Sequence, residues 1–258
     1  MPTIAEKRAT FRALHTRRDT GGAFIMPNAW DAGSAKRLAK LGFKAIASTS
    51  AGAAWALGKE DGEMTRDEVL AHLRMLVCAT DLPVNADFEN GFADRPEDIA
   101  THVAMAVATG IAGVSIEDWS GPGKSGGAIY DHDLAVARIA AARTAIDATD
   151  PAVMLIGRHE HFRVPTTPVA DAIARAVAYA QAGADCLFVP AIRDPGAVAE
   201  LVAAVAPKPV SVVVHDYDAN IAALAALGVR RFSTGGSLAK RIWATFDEAA
   251  ATLKANEP

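Results

Sequence analysis

Four times along this chain a helical run stops at a glycine, a short apolar stretch follows, and the stretch ends on polar or acidic residues. The copies are Leu41-Gly42 through Ser48, Thr109-Gly110 through Glu117, Ala182-Gly183 through Pro190, and Leu227-Gly228 through Thr234. Glycine just past a helix takes the left-handed conformation at no steric cost. An apolar run of four or five residues bounded by Pro or Gly reads as a parallel strand buried on both faces. Helices that alternate with such strands must cross over and cover the sheet, which leaves few architectures open.

Extended over the chain, the pattern predicts eight strands: Ala23–Pro27, Ala45–Ser48, Leu82–Asp87, Gly113–Glu117, Val153–Arg158, Asp185–Val189, Pro209–Val213 and Arg231–Thr234. Ala-rich amphipathic runs follow them, among them Asp31–Leu41, Thr65–Thr80, Pro168–Ala182 and Leu238–Leu253, and an opening helix is predicted over Pro2–Arg18. No break in composition divides the 258 residues, so the expected fold is α/β, a single (β/α)8 TIM barrel over residues 1–258. A doubly wound sheet is the rival. It is disfavoured because the first strand runs into Asn28-Ala29-Trp30-Asp31 and not into a glycine-rich phosphate loop. Pro and Gly gather in the loops after strands two to five, which marks that rim as the working face.

Two strands end in acid on that rim, at Asp87 and at Glu117-Asp118, with a helix-like run over Glu97–Thr109 between them. A βαβ unit brings both ends to one sheet edge. Carboxylates brought together repel unless a cation lies between them or one is protonated. Hard oxygen donors without His or Cys suit Mg²⁺ or Mn²⁺; the same acids could equally cap helices or pair with Arg158. Arg158, at the end of the fifth strand, can clamp a carboxylate or steady developing negative charge, or serve as an ion partner of Glu117 or Glu160. His159 and His161 follow it and are expected to point in opposite directions. Ser48-Thr49-Ser50-Ala51-Gly52 reads as a turn whose backbone N–H groups can approach an anion, or as an ordinary loop. Asp61 is an acidic loop residue, and Lys124 lies in the hinge-rich Gly121–Gly127 segment, read either as a mobile lid or as a solvated turn.

Composition narrows the partners. A net charge of −4 favours neither nucleic acid nor an anionic membrane. No apolar stretch approaches a membrane span and no signal-peptide core precedes the first helix, so a cytoplasmic protein is expected. The only two cysteines, Cys78 and Cys186, are expected to be buried thiols, with no metal-ligand spacing.

Met26-Pro27-Asn28-Ala29-Trp30-Asp31-Ala32-Gly33-Ser34-Ala35, the Ser48–Gly52 turn, Asp61, Asn85-Ala86-Asp87, Ile116-Glu117-Asp118 and Arg158 resemble, in this order, the isocitrate lyase / phosphoenolpyruvate mutase superfamily. The resemblance implies a Mg²⁺-dependent barrel acting on a small 2-oxo or 2-hydroxy acid through an enolate. It further implies a homodimer or homotetramer, often exchanging a C-terminal helix; by the residues themselves, Trp243 and Phe246 on the Ala-rich last helix point to a partner surface. By the same resemblance Asp87 and Glu117 hold the metal, with Asn85 at the position of a third ligand. Asp61 assists at the metal, Ser48, Thr49 and Ser50 bind the substrate carboxylate and oxo oxygen, Arg158 steadies the enolate, and Lys124 belongs to the lid.

Three departures refine this. Asn85 stands where the family usually has an aspartate, which removes a negative charge that nearby Glu89 could restore. The Lys124-Ser125-Gly126-Gly127-Ala128 loop has neither the cysteine and histidine of the isocitrate lyases nor the Asn of the phosphonomutases. Isocitrate lyase activity is therefore not expected. The expected reaction is C–C cleavage in the manner of an oxaloacetate decarboxylase. A phosphonopyruvate hydrolase or phosphonomutase-type P–C enzyme is the alternative, and a non-catalytic metabolite-binding barrel is the reading from another class.

Overall fold

The computed structural model describes residues 2–16, 22–120, 127–164, 168–190, 192–215 and 221–257. Among them nine strands form one parallel sheet: β1 Phe24–Met26, β2 Asn28–Ala29, β3 Ile46–Ser48, β4 Val84–Asp87, β5 Gly113–Glu117, β6 Met154–Arg158, β7 Cys186–Phe188, β8 Val210–Val213 and β9 Val229–Ser233. The order β1-β9-β8-β7-β6-β5-β4-β3-β2 starts and ends on consecutive segments of chain. The expected first strand, Ala23–Pro27, is thus corrected to two pieces. Pro27 has no N–H to donate to a ladder; β1 pairs with β9 on one side of it and β2 with β3 on the other. The two pieces are one stave, and with eight staves the sheet closes into the expected (β/α)8 barrel.

Ten α-helices are described: α1 Ile4–Thr16, α2 Ala32–Lys40, α3 Ser50–Ala56, α4 Arg66–Ala79, α5 Pro96–Val107, α6 His132–Thr149, α7 Val169–Gln181, α8 Pro195–Val205, α9 Ile221–Ala226 and α10 Ser237–Ala255. Capping explains several starts. Thr65 caps α4 in a box with Glu68, Asp31 caps α2 with Ser34, and the Asp194 side chain accepts from Ala197 N–H at α8. The Ser48–Gly52 segment, expected as a turn, instead opens α3 with Thr49 as its cap. Cys78 is exposed, against expectation, because the inward stripe of α4 is Val69, Leu70, Leu73 and Leu76. Cys186 is buried as expected.

Two apolar layers result. The larger fills the space between sheet and helices, and the smaller lies inside the barrel, where Met26, Ala45, Ala47, Met154, Ile156 and Cys186 meet Phe11 of α1. Gly113 makes room for that helix, since a Cβ there would lie 2.6 Å from the Phe11 ring and 2.7 Å from Asn85 Oδ1. Lys7 and Arg8 of α1 donate to the carbonyls of Val77, Thr80, Val107 and Ile111. These carbonyls lie at the ends of α4 and α5, where orphan acceptors need donors. The helix therefore stoppers the end of the barrel opposite the acidic rim. No described helix is long and apolar enough to cross a membrane.

Candidate active site

At the carboxyl ends of the strands a cavity of about 450 Å³ opens. Inward positions recur every second residue along a strand. Asn85 and Asp87 of β4, Ser115 and Glu117 of β5, Arg158 of β6, Phe188 of β7, and Arg231 and Ser233 of β9 all line it. The loop residues Asp61, Glu89, Trp119, Glu160, Arg163 and His215 complete its wall.

Arg158 organises the acids. Its Nη1 lies 3.1 Å from both Asp87 Oδ1 and Glu117 Oε2, and its Nε donates to Glu160. Of the acids expected as its ion partners, Asp87, Glu117 and Glu160 all engage it. Glu160 also accepts from Arg163 Nε at 2.9 Å. Asp87 is held from behind: its N–H donates to Ser48 Oγ at 2.8 Å, and its Oδ2 accepts the Ser50 N–H at 3.1 Å. Ser48 is fixed in turn by Asn28, whose Nδ2 donates to the Ser48 carbonyl while its Oδ1 accepts from Thr234 and Gly235. Ser48, Thr49, Ser50, Asp61, Asn85, Asp87, Glu117 and Arg158 thus come to one cavity, as the sequence leads one to expect. Lys124 lies outside the described residues.

Two expectations are corrected. Asp118, expected on the rim beside Asp87 and Glu117, is turned by alternation out of the barrel, behind the site. There it accepts from His159 Nδ1 and Tyr179 Oη, each at 2.5 Å, and from the Glu160 N–H at 2.9 Å. Burial raises its pKa, but these donors outweigh that and hold it below the usual range. His159 and His161 do not diverge. Residues two apart share a face of an extended chain, and with the 3₁₀ turn at His161 the two rings sit 5.7 Å apart, both buried and neither lining the cavity.

The cavity wall is rich in acid. Burial pushes Glu89 up to about 8, with help from Asp87 and Asp61. Burial also raises Glu117 well above the carboxylate range, against the pull of Arg158. It acts on Glu160 too, where Arg158 and Arg163 outweigh it and keep that group low. Glu89 has φ of 48°, in the left-handed region that non-glycine residues rarely occupy. The turn aims its carboxyl into the wall, where Oε1 is buried without a hydrogen-bond partner.

These features test the fit of a divalent cation. Among the described residues no three His, Cys, Asp or Glu side chains converge as a preformed cage. Mg²⁺ needs none, since it keeps several waters and takes one or two carboxylates. The wall offers Asp87 and Glu117, and two buried oxygens without partners, Glu89 Oε1 and Asn85 Oδ1. The Asn85 Nδ2 is occupied by Ser115 Oγ and the Ala86 carbonyl, so Oδ1 is the atom it can offer. An all-oxygen, acid-rich donor set of this kind fits a hard cation.

Arg163 and Arg231 were not among the expected site residues, while Glu89 entered only as a charge that could offset Asn85 and Glu160 only as an ion partner of Arg158. Glu160 and Arg163 follow Arg158 by two and five positions, and Arg231 is a charged residue at an inward strand position. That last signal was legible from alternation alone.

Comparison with known proteins places these residues in context. A family model described as phosphoenolpyruvate phosphomutase matches residues 11–254. The 2-methylisocitrate lyase of Escherichia coli K12 is 35% identical over 162 residues, 60% of this chain and 53% of that protein. The chloroplastic carboxyvinyl-carboxyphosphonate phosphorylmutase of Arabidopsis thaliana is 34% identical over 197 residues, 73% of this chain and 57% of that protein. The chain therefore spans just over half the length of these two relatives. The crystal structure of a candidate lyase/mutase from Burkholderia cenocepacia J2315 superposes with a TM-score of 0.89 at 42% identity, covering 98% of this chain and 89% of the other.

Proposed function

This chain belongs to the phosphoenolpyruvate phosphomutase family, and on that premise we propose that it is a Mg²⁺-dependent lyase cleaving a C–C bond of a small 2-oxo or 2-hydroxy acid through an enolate, in the manner of an oxaloacetate decarboxylase. The observation that carries the reading is the single guanidinium nitrogen of Arg158, 3.1 Å from both Asp87 and Glu117 in a cavity lined by Ser48, Thr49 and Ser50. Asp87 and Glu117, with Asn85 Oδ1, would hold the cation. When bound, it would act as a Lewis acid on the oxygen where negative charge develops.

The protein's own groups supply the rest. Ser48, Thr49 and Ser50 orient the substrate carboxylate and oxo group. Arg158 donates to the enolate oxygen as the bond beyond C3 breaks, a contact that matters more in the transition state than before it. Asp61 and Glu89, both lining the cavity, would exchange a proton with the carbanion carbon, and Lys124 is assigned to substrate closure from the segment after β5. The C-terminal helix α10 is read as the element exchanged between subunits of a dimer or tetramer, and the protein as cytoplasmic.

A P–C enzyme is the second reading, favoured by the likeness to the phosphorylmutase. A screen of C3–C6 2-oxo and 2-hydroxy acids and phosphonopyruvate, with and without Mg²⁺, separates the two by product: pyruvate with carbon dioxide or a second acid, against pyruvate with phosphate from a P–C hydrolase or an isomeric phosphate ester from a mutase. Arg158→Ala and Asp87→Ala are each expected to lower kcat by about 10²–10³-fold with an unchanged far-UV spectrum. Full activity in both variants refutes the site. Binding of these acids by the wild type without any product from the panel selects the non-catalytic barrel.

A further inference from the structure

Beneath the acids the cavity meets a cation of the opposite kind. Arg231 is 1% exposed, lines the cavity from β9, and sits two residues deeper than Ser233 on the same strand. Its register partners are Phe24 on β1 and Ser211 on β8. Its Nε donates to Ser211 Oγ at 2.8 Å, and its Nη1 is buried with no hydrogen-bond partner. Among the described residues no carboxylate forms an ion pair with it. The other cations at the cavity differ: Arg158 is shared by three acids, and Arg163 is held by Glu160. A buried guanidinium without a counter-charge is costly to a fold, and removing such a charge commonly stabilises a protein. A lone cation at a cavity floor is accounted for if an anion joins it when the cavity fills.

The Phe188 ring relates the two ends. Arg158 Cζ lies 5.4 Å from its centroid and Arg231 Cζ 5.7 Å, so the two guanidinium carbons are at most about 11 Å apart. A short acid ionised at both ends, with a contact at each, suits that span. We propose that Arg231 binds a second anionic group of the substrate, so that the protein selects 2-oxo or 2-hydroxy acids carrying a terminal carboxylate or phosphonate over those with an uncharged tail. This rests on the reading of the rim as the site that binds the head of the acid, and it specifies the tail.

Titration calorimetry at fixed excess Mg²⁺ tests it with four probes. Oxalate carries the head alone, 2-hydroxybutyrate adds an uncharged tail, and malate and 3-phosphonolactate add an ionised one. The wild type is expected to bind malate or 3-phosphonolactate at least about tenfold more tightly than 2-hydroxybutyrate, the scale of a charge-assisted hydrogen bond, and the tighter of the two identifies the tail. Arg231→Met is expected to erase that preference, to leave 2-hydroxybutyrate within about twofold, and to raise the Tm of the free protein. A residue with a purely structural role would lower it. Should Arg231→Met fail to fold, Ser211→Ala, which removes the acceptor holding Nε, is expected to shrink the preference. Equal binding of tailed and uncharged acids by the wild type, or a preference that survives both changes, overturns the assignment. If oxalate itself does not bind, the reading of the rim fails and this inference falls with it; if oxalate binds without any tail preference, only the role of Arg231 fails.

Discussion

Glu117 and Asp118 are neighbours in sequence with opposite surroundings, and the difference predicts opposite consequences of change. Glu117 faces the cavity, where burial and nearby acids leave it poorly compensated. Asp118 faces away and accepts from His159, Tyr179 and the Glu160 backbone, and that last bond anchors the segment just after Arg158. Asp118→Ala should therefore cost on the order of 3 kcal/mol, read from the urea midpoint, because it leaves buried donors unpaired. It should also lower kcat by loosening Arg158, while Asp118→Asn keeps part of both. His15 offers a pH test on the far side of the barrel. Burial, then the charge of Arg231, depresses its pKa to about 3, against the bond from Nδ1 to the Phe11 carbonyl. The folded pKa lies below the unfolded one near 6.5, so the unfolded chain binds the extra proton. Stability should then be lost as pH falls from about 6.5 toward 3, at up to roughly 1.4 kcal/mol per unit from this group. His15→Gln should flatten that limb of the urea midpoint against pH; an unchanged slope would count against the assignment.

At the level of elements, β5 and α1 meet through one missing side chain. Gly113→Ala would drive a methyl group against the Phe11 ring and the Asn85 amide, both rigidly held. A destabilisation of about 1–3 kcal/mol is expected in chemical denaturation, the scale of overpacking. The last helix presents the contrary case. Only Ala239 is buried along the 19 residues of α10, and Ile242, Trp243, Phe246 and Leu253 lie exposed. If this face is covered by a second copy, Trp243→Ser with Phe246→Ser should reduce the mass in light scattering to that of the monomer, with helicity retained. A wild-type monomer would refute the exchange outright. The α3 helix shows where element-level reading fails. Six of its seven residues are small, with Trp55 the exception, and with Gly52 against Thr49, Trp30 and Ala239 the segment looks like a loop in sequence; the Thr49 cap and the tight packing around it favour a helix.

For the molecule as a whole, the barrel was legible because glycine stops and strand-length apolar runs alternate eight times without a break in composition, and because the first strand runs into Asn28-Ala29-Trp30-Asp31 where a doubly wound sheet would place a glycine-rich loop. The rim acids and Arg158 were legible because strand ends in such a barrel converge whatever the loops do. Alternation could have sorted Asp118 from Glu117 and flagged Arg231, since both are questions of inward and outward positions. The left-handed backbone of Glu89 could not have been read, because it depends on how the turn after β4 meets β5: the Glu117 N–H donates to the Glu89 carbonyl at 2.9 Å. Nor could the 3₁₀ turn at His161, although the two-residue spacing of His159 and His161 already put them on one face of an extended chain.

The stopper helix carries a further consequence for how the chain is made. Lys7 and Arg8 rest on carbonyls 70 to 103 residues downstream, and Arg8 and Arg12 pair with acids 142 and 173 residues away. During translation the docking site of the segment made early stays incomplete until more than half of the protein has left the ribosome, because Asp150 and Asp185 come last. A nascent chain of this kind waits with a cationic, Phe-bearing helix in the open, and chaperone contact should fall away only once Asp150 and Asp185 have cleared the exit tunnel.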